Sequence, residues 1–447
     1  MTSIKNFKSS LVFTLALFLS FGLMAQQPNI SFWRSYDQNG LNVFEPGKDG
    51  GVPFEGIKVR VGGNFAQQFQ ALSHENTAAF DSGMYRGNVI NLNQLYDLGP
   101  GFNLATANLN LDVQLADGIR LAVESYMSSR HHAEFWVKGG YIQVDKLPMF
   151  GNPDWFAEHV RVKVGHFQVN YGDQQFRRTD NGNAMYNPFV GNYIMDAFAT
   201  EIGGEVYVWP VKELMVMVGA TNGLINGNIT GGEKGMSVYG KVAFDKQFTD
   251  NVRFRLSASA YANGNSARNT LYAGDRAGSR LYMVMEPAFA VPRGASSPSP
   301  TNATGNFTSG RVSPNFTNEV TAIQINPFLK AGGLEVFGTF ETSSGRASFE
   351  GDERRSVTQI GAEAIYRFLK NEQLYVGGRY NSVSGEIAAF QGEASINRIE
   401  VVAGWFPIKN LLLKASYVNQ TYNDFPATDI RNGGLFNGAI IEAVVGF

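Results

Sequence analysis

Charged residues whose chemistry depends on what they face are concentrated in one stretch of this chain. Over 171–183 it reads Tyr-Gly-Asp-Gln-Gln-Phe-Arg-Arg-Thr-Asp-Asn-Gly-Asn, then Tyr186-Asn187-Pro188-Phe189 and Met195-Asp196-Ala197-Phe198 follow. Asp173, Arg177, Arg178, Asp180 and Asp196 stand there among aromatic rings. Charges that face one another across a water-filled bore decide which ions cross it. The expectation is that 170–199 folds inward and that Asp173, Arg177, Arg178 and Asp180 form the narrowest charged ring. The competing reading is a surface loop with an Asp-Asn-Gly-Asn turn at 180–183. Asp180, Asn181 and Asn183 offer oxygen ligands for calcium, but the acidic residue that would complete such a loop is missing. No metal or cofactor is assigned.

A second cluster invites a catalytic reading. Ser128-Ser129-Arg130-His131-His132-Ala133-Glu134 holds two of the five histidines, the others being His74, His159 and His166. A Ser–His pair needs an orienting group and an oxyanion site, and none is evident here. Zinc on His131, His132 and Glu134 is disfavoured because adjacent residues of extended chain point oppositely. No Gly-rich phosphate cradle precedes a helix. The chain is not expected to be an enzyme.

The elements that position these residues are strands, read from period-two alternation. Over 252–261, Val252, Phe254, Leu256, Ala258 and Ala260 oppose Arg253, Arg255, Ser257, Ser259 and Tyr261. The pattern recurs at the length a tilted strand needs to cross an apolar layer. Candidate strands are 57–71, 103–115, 119–129, 135–146, 159–169, 200–209, 213–222, 236–245, 251–262, 279–287, 319–330, 334–343, 356–368, 372–383, 395–406, 410–421 and 435–447. Single-chain bacterial barrels have even strand numbers, short periplasmic turns and longer outer loops. The short connectors at 116–118, 210–212, 331–333, 369–371 and 407–409 fix the parity and leave 279–287 surplus. Sixteen strands remain, and 263–318 becomes one long outer loop with room for a small hairpin. The connector 147–158 falls on the short-turn side yet is long.

Both ends of the chain agree with an envelope protein. Lys5 and Lys8 precede an apolar core at 11–23, so 1–25 reads as a signal peptide with Gln26 first in the mature chain. About 13 apolar residues are too few to span a bilayer. Residues 26–55, with Phe32-Trp33-Arg34-Ser35-Tyr36, read as a periplasmic N-terminal extension that could instead pack against the barrel rim or plug the lumen from below, and 56–447 as the barrel. The chain ends on Phe447 within an apolar strand, which resembles the C-terminal signal read by the barrel-insertion machinery. The fold class expected is all-β: a transmembrane antiparallel up-and-down β-barrel.

Composition narrows the partners. There is no Cys, which excludes disulfides, thiol chemistry and Cys-based metal sites. Of 37 basic and 39 acidic residues, losing Lys5 and Lys8 leaves 35 against 39, which suggests no nucleic acid. Phe244, Phe368, Trp405 and Phe447 have the parity and depth of an interfacial aromatic girdle against outer-membrane lipid, whereas Trp209 and Phe328 have the polar parity. His166 shares the outward parity of Val160, Val162 and Val164.

The block Val-Arg-Val-Lys-Val-Gly-His-Phe-Gln-Val-Asn-Tyr-Gly over 160–172 carries Gly165, Phe167 and Gly172. With Gly139-Gly140-Tyr141-Ile142-Gln143-Val144-Asp145 before it, it resembles the strand-and-turn pattern of the phosphate-selective porin O/P family, over roughly 135–210. The long Gln/Asn/Gly-rich barrel ending in Phe447 also resembles porin-like outer-membrane proteins of the Bacteroidota. The resemblance implies a sixteen-stranded, trimeric diffusion channel with an inward loop. The wall departs from it. Arg161, Lys163, Lys241, Arg253, Arg255, Arg379 and Arg398 are offset by Asp112, Glu124, Glu201, Glu205, Glu335, Glu341, Glu363, Glu400 and Glu442, not arranged as a basic ladder. The functional expectation is passive diffusion of small hydrophilic solutes or ions past 170–199, with Arg253, Arg255, Arg379 and Glu363 lining the lumen. The alternative is a non-conducting structural or interaction subunit of a larger outer-membrane complex, its loops at 72–102, 170–199 and 263–318 holding other proteins.

Overall fold

The computed structural model describes residues 27–447 except 131–133, 225–234, 273–279, 293, 307 and 390. The leader 1–25 and the His131–His132 pair therefore lie outside the described residues.

Sixteen long strands run antiparallel in chain order: β1 Lys58–Glu75, β2 Thr106–Ala116, β3 Ile119–Ser128, β4 Phe135–Val144, β5 Val160–Gln168, β6 Thr200–Val211, β7 Leu214–Thr221, β8 Ser237–Thr249, β9 Val252–Asn263, β10 Glu319–Ala331, β11 Leu334–Arg346, β12 Arg355–Phe368, β13 Leu374–Gly385, β14 Ala394–Ile408, β15 Leu411–Asn423 and β16 Leu435–Gly446. A two-residue stub, Gly101–Phe102, prolongs the β1 pairing ahead of β2. β16 returns to pair with β1 from Asn64↔Gly446 to Glu75↔Leu435, so the sheet closes. Closure leaves no unpaired edge, the condition for a sheet to stand in lipid.

Alternation sorts the two faces as the sequence predicts. In β9, Arg255, Ser257, Ser259 and Tyr261 are buried while Leu256 is exposed on the outside. Phe244, Phe368, Trp405 and Phe447 are exposed on the outer face, and Trp209 and Phe328 are buried inside. Segment 279–287 forms no strand among its described residues; Pro287 makes an isolated bridge with Leu95, and Phe289–Ala290 pairs with Ser299–Pro300 as a small hairpin. The long 147–158 connector is explained by a 3-10 turn at Pro148–Phe150 and a short helix, α1 Asp154–His159, folded across the short-turn end.

The N-terminal segment follows the plugging alternative among its three readings. Residues 27–55 enter the short-turn end of the barrel. Trp33 Nε1 and the Tyr36 hydroxyl both donate to Asp112 Oδ2, at 3.0 and 2.9 Å. Glu45 pairs with Arg255 at 2.6 Å and Lys241 at 2.8 Å, and Lys48 with Asp145 at 3.1 Å. Phe44 is buried edge-on against Phe176 and Phe328. The cause is complementarity: the segment carries a carboxylate and rings that the cationic, aromatic wall accepts.

Candidate functional site

The loop that follows β5, 169–199, turns straight into the lumen. Gly172 has φ +69°, and a Cβ there would stand 1.7 Å from Gln324 Oε1 on β10. Only glycine allows that turn against the far wall. The tip presses on β2, where a Cβ at Gly182 would meet Ala107 Cα at 2.4 Å. Apart from a single 3-10 turn, Gln174–Phe176, the loop has no repeating structure, so its buried amides need side-chain acceptors. The wall provides them. The amide of Gly172 donates to Ser259, Asp173 to Asn326, Gly182 to Asn108, Val190 to Glu400, Ile194 to Asn381 and Met195 to Gln359, at 2.6 to 3.1 Å.

The four residues expected to form a ring divide into two pairs. Asp173 is held by Lys241 at 2.6 Å and Arg255 at 2.8 Å. Arg177 reaches Glu363 at 3.1 Å and Glu335 at 3.7 Å, and also donates to Asn42. Both are buried and serve as anchors. Arg178 and Asp180 are buried as well but border a cavity. Arg178 pairs with Asp196 at 2.7 Å and Asp180 at 3.2 Å, and Asp180 accepts from Lys138 and the Tyr126 hydroxyl.

Of the expected lumen-lining residues, Arg255, Arg379 and Glu363 face inward but lie under the loop. Arg379 pairs with Glu400 at 2.6 Å and Glu363 at 3.5 Å. Arg253 sits at the short-turn mouth, paired with Asp245 at 2.6 Å. Asn181 spends its amide on the Ala107 and Met127 carbonyls, so 180–183 is a docking turn. Among the described residues no group of three or more His, Asp or Glu could hold a metal ion. Ser129 Oγ accepts from the Ala105 amide, Ser128 Oγ from the Arg130 amide, and Glu134 pairs with Arg130.

A further covering comes from the loop at 264–318. Its residues Leu271, Leu281 and Val284 join one buried apolar cluster with Val190, Ile194 and Met195 of the inner loop. Val312 donates to the Ile194 carbonyl at 2.8 Å, Phe198 to the Leu271 carbonyl at 2.7 Å, and Arg280 pairs with Glu442 at 3.0 Å. The apolar residues that make 279–287 look like a strand are the underside of this cap.

Part of the β3–β6 wall stays uncovered. A cavity of about 240 Å³ lies between the inner loop, residues 33–46 and the wall of β3–β6. Arg34, Arg120, Lys138, Arg161, Lys163 and Arg178 border it with Glu45, Glu124 and Asp180, together with Trp33, Tyr36, Tyr141, Tyr186 and Tyr207. A second space of about 200 Å³ adjoins it, sharing Tyr36, Glu124, Lys138 and Lys163.

Lys138 reaches the cavity through a β-bulge. Glu124 pairs with Gly139 and Ser125 with Val137, which leaves Lys138 without a partner across the ladder and turned inward to Glu124 at 2.8 Å. Sequence reasoning passed over this residue, although the outward apolar positions change parity between Val137 and Ile142. Trp33, Arg34 and Tyr36 reach the cavity from the N-terminal segment, as its plugging reading implies. The signal there is a run of rings and charge, 32–36, too rich for a tether.

Outside the membrane-crossing strands, ionisation follows the contacts. Burial pushes the Glu45 carboxyl up, but Arg255 and Lys241 more than offset this and hold it well below the usual range. Asp37 is raised by burial and lowered further by hydrogen bonds from Ser35 and Asn39 and by Lys409, ending below its ordinary value. Burial draws Arg34 down to about 10, still charged at neutral pH.

No protein-family model and no curated protein matches the sequence. Solved structures do. An anion-selective porin from Comamonas acidovorans is similar with a TM-score of 0.52 at 10% identity, over 88% of this chain and 100% of that one. OprB of Pseudomonas putida, in a high-pH structure, gives 0.52 at 11% identity, over 94% and 100%. OmpT of Vibrio cholerae in its trimer form gives 0.50 at 9%, over 88% and 100%. At such identity the likeness establishes the fold. With its closed sheet, greasy outer face and polar interior, the chain is an outer-membrane β-barrel.

Proposed function

We propose that this barrel is a passive channel for small hydrophilic solutes or ions, and that the route runs between the inner loop and the β3–β6 wall. The observation that carries the reading is the uncovered strip of wall, where charged side chains face a cavity instead of loop backbone. Arg178 and Asp180, with Lys138 and Glu124 opposite, form the charged constriction; Asp173 and Arg177 hold the loop in place. The short-turn end faces the periplasm and Phe447 serves the insertion machinery, its backbone already bonded in both directions to Gly63. The leader is removed after residue 25. A trimer is the assembly favoured, since the similar OmpT of Vibrio cholerae has a trimer form. The porin names borne by neighbours support transport. Phosphate preference is not favoured, because most cations along the wall already carry a carboxylate.

Conductance of the purified protein in a planar bilayer tests this. Steady single-channel steps are expected. Silence, with stable co-purifying proteins, overturns the channel and favours the interaction subunit, a reading supported by the cap at 264–318.

A further inference from the structure

We infer that the ion preference of the passage is set by Arg34, a residue of the N-terminal segment and not of the barrel or the inner loop. The inference rests on the channel reading above. Arg34 is held at the junction of three elements. Its guanidinium lies 3.6 Å from the centre of the Tyr186 ring on the inner loop. Its Nε donates to the Gly40 carbonyl at 2.9 Å, and Nη2 donates to the Phe176 carbonyl at 2.9 Å. Stacking and two carbonyls fix the group without neutralising it.

The other cations that border the cavity are each matched. Arg120 pairs with Asp112, Lys138 with Glu124, Arg161 with Asp145, Lys163 with Glu205 and Arg178 with Asp196, none farther than 3.3 Å; Asp145 is shared with Lys48, and Asp180 between Lys138 and Arg178 adds the balancing carboxylate. Among the described residues no carboxylate lies within salt-bridge distance of Arg34, and its Nη1 makes no hydrogen bond to them. Glu45, an acid whose charge acts on it, is itself bound by Lys241 and Arg255. Matched pairs leave only short-range fields that largely cancel, whereas an unmatched charge in a confined, poorly hydrated space acts at full strength on a passing ion. The wall is therefore close to neutral, and the segment threaded in from the periplasm adds the positive charge that favours small anions over small cations.

The test is reversal potential in a potassium chloride gradient, using the full processed chain in planar bilayers. The wild type is expected to prefer chloride. R34K keeps that sign, R34Q brings the reversal potential close to zero, and R34E inverts it. Heat-resistant migration on gels confirms that each variant is a closed barrel; Arg34 bonds only to carbonyls and a ring, so R34Q and R34K decide the matter should R34E fail to assemble. A conducting wild type with R34Q unchanged overturns this inference alone, as does a cation-preferring wild type. A wild type that never conducts overturns the channel reading with it.

Discussion

The β8–β16 side of the lumen and the β3–β6 side carry similar side chains but use them differently. Under the inner loop, Lys241, Arg255, Glu363, Arg379 and Glu400 face loop side chains and loop amides, and their charges are consumed in fastening. Along β3–β5, Arg120 and Lys163 are paired with carboxylates of the wall itself, Lys138 is shared between Glu124 of the wall and Asp180 of the loop, and all three border a cavity. Charge inside a barrel is thus not evidence of a selectivity ring. What matters is whether a residue's partner belongs to the wall or to a movable element.

The largest test of that contrast is Asp173→Ala. It strips Lys241 and Arg255 of a shared buried partner, and breaking such a pair costs ~3–5 kcal/mol. The inner loop should loosen, with conductance rising several-fold and the heat-modified gel transition falling. Wild-type values for both would show that the β8–β9 wall is not a clamp. Next in size is Gly172→Ala, which combines a positive φ with a collision at Gln324. A strain of about 1–3 kcal/mol is expected, read as a lower thermal midpoint.

Acid probes the fastening of the N-terminal segment. Because the folded-state Glu45 value is depressed, its stabilising contribution is complete above the ordinary glutamate range and is lost as pH falls through the lower folded value. Conductance should hold steady down to about pH 4 and climb only below it, whereas Glu45→Gln should show the raised level already at neutral pH. A wild-type rise centred on the ordinary range would contradict the pairing. The smallest effect is reserved for the open side. Lys138→Gln should move the reversal potential toward cations while leaving the thermal midpoint near that of the wild type; a large loss of stability would mean that this wall, too, is fastening.

The legible parts were those with a period. Alternation in β9, repeated down the chain, carries barrel class, strand count and the outward parity of the girdle, because lipid and water impose opposite demands on successive side chains. The topology of short turns is what removed 279–287, where Leu281, Met283 and Met285 alternate like a strand but Leu281, Val284 and Met285 pack in one apolar cluster with the inner loop. The inward fold of 170–199 was readable from its mixture of charge and rings. The division of labour inside it was not: Asp173 meets Arg255, 82 positions away, and that meeting depends on how far the loop reaches before turning at Gly172. The N-terminal segment has no period at all, so nothing local told that Arg34 would stand beside Tyr186.

The loop at 169–199 lies between two neighbours. From one side Arg34, Ser35 and Asn42 hold Phe176, Tyr186 and Arg177; from the other Leu271, Arg280 and Val312 bond Phe198, Asn181 and Ile194. A middle layer cannot be seated last. During biogenesis it must find its place before the roof settles, and in the finished protein it cannot swing aside until the floor or the roof has lifted first. Any opening of this barrel is therefore a matter of sequence in time, with one outer layer always moving ahead of the core.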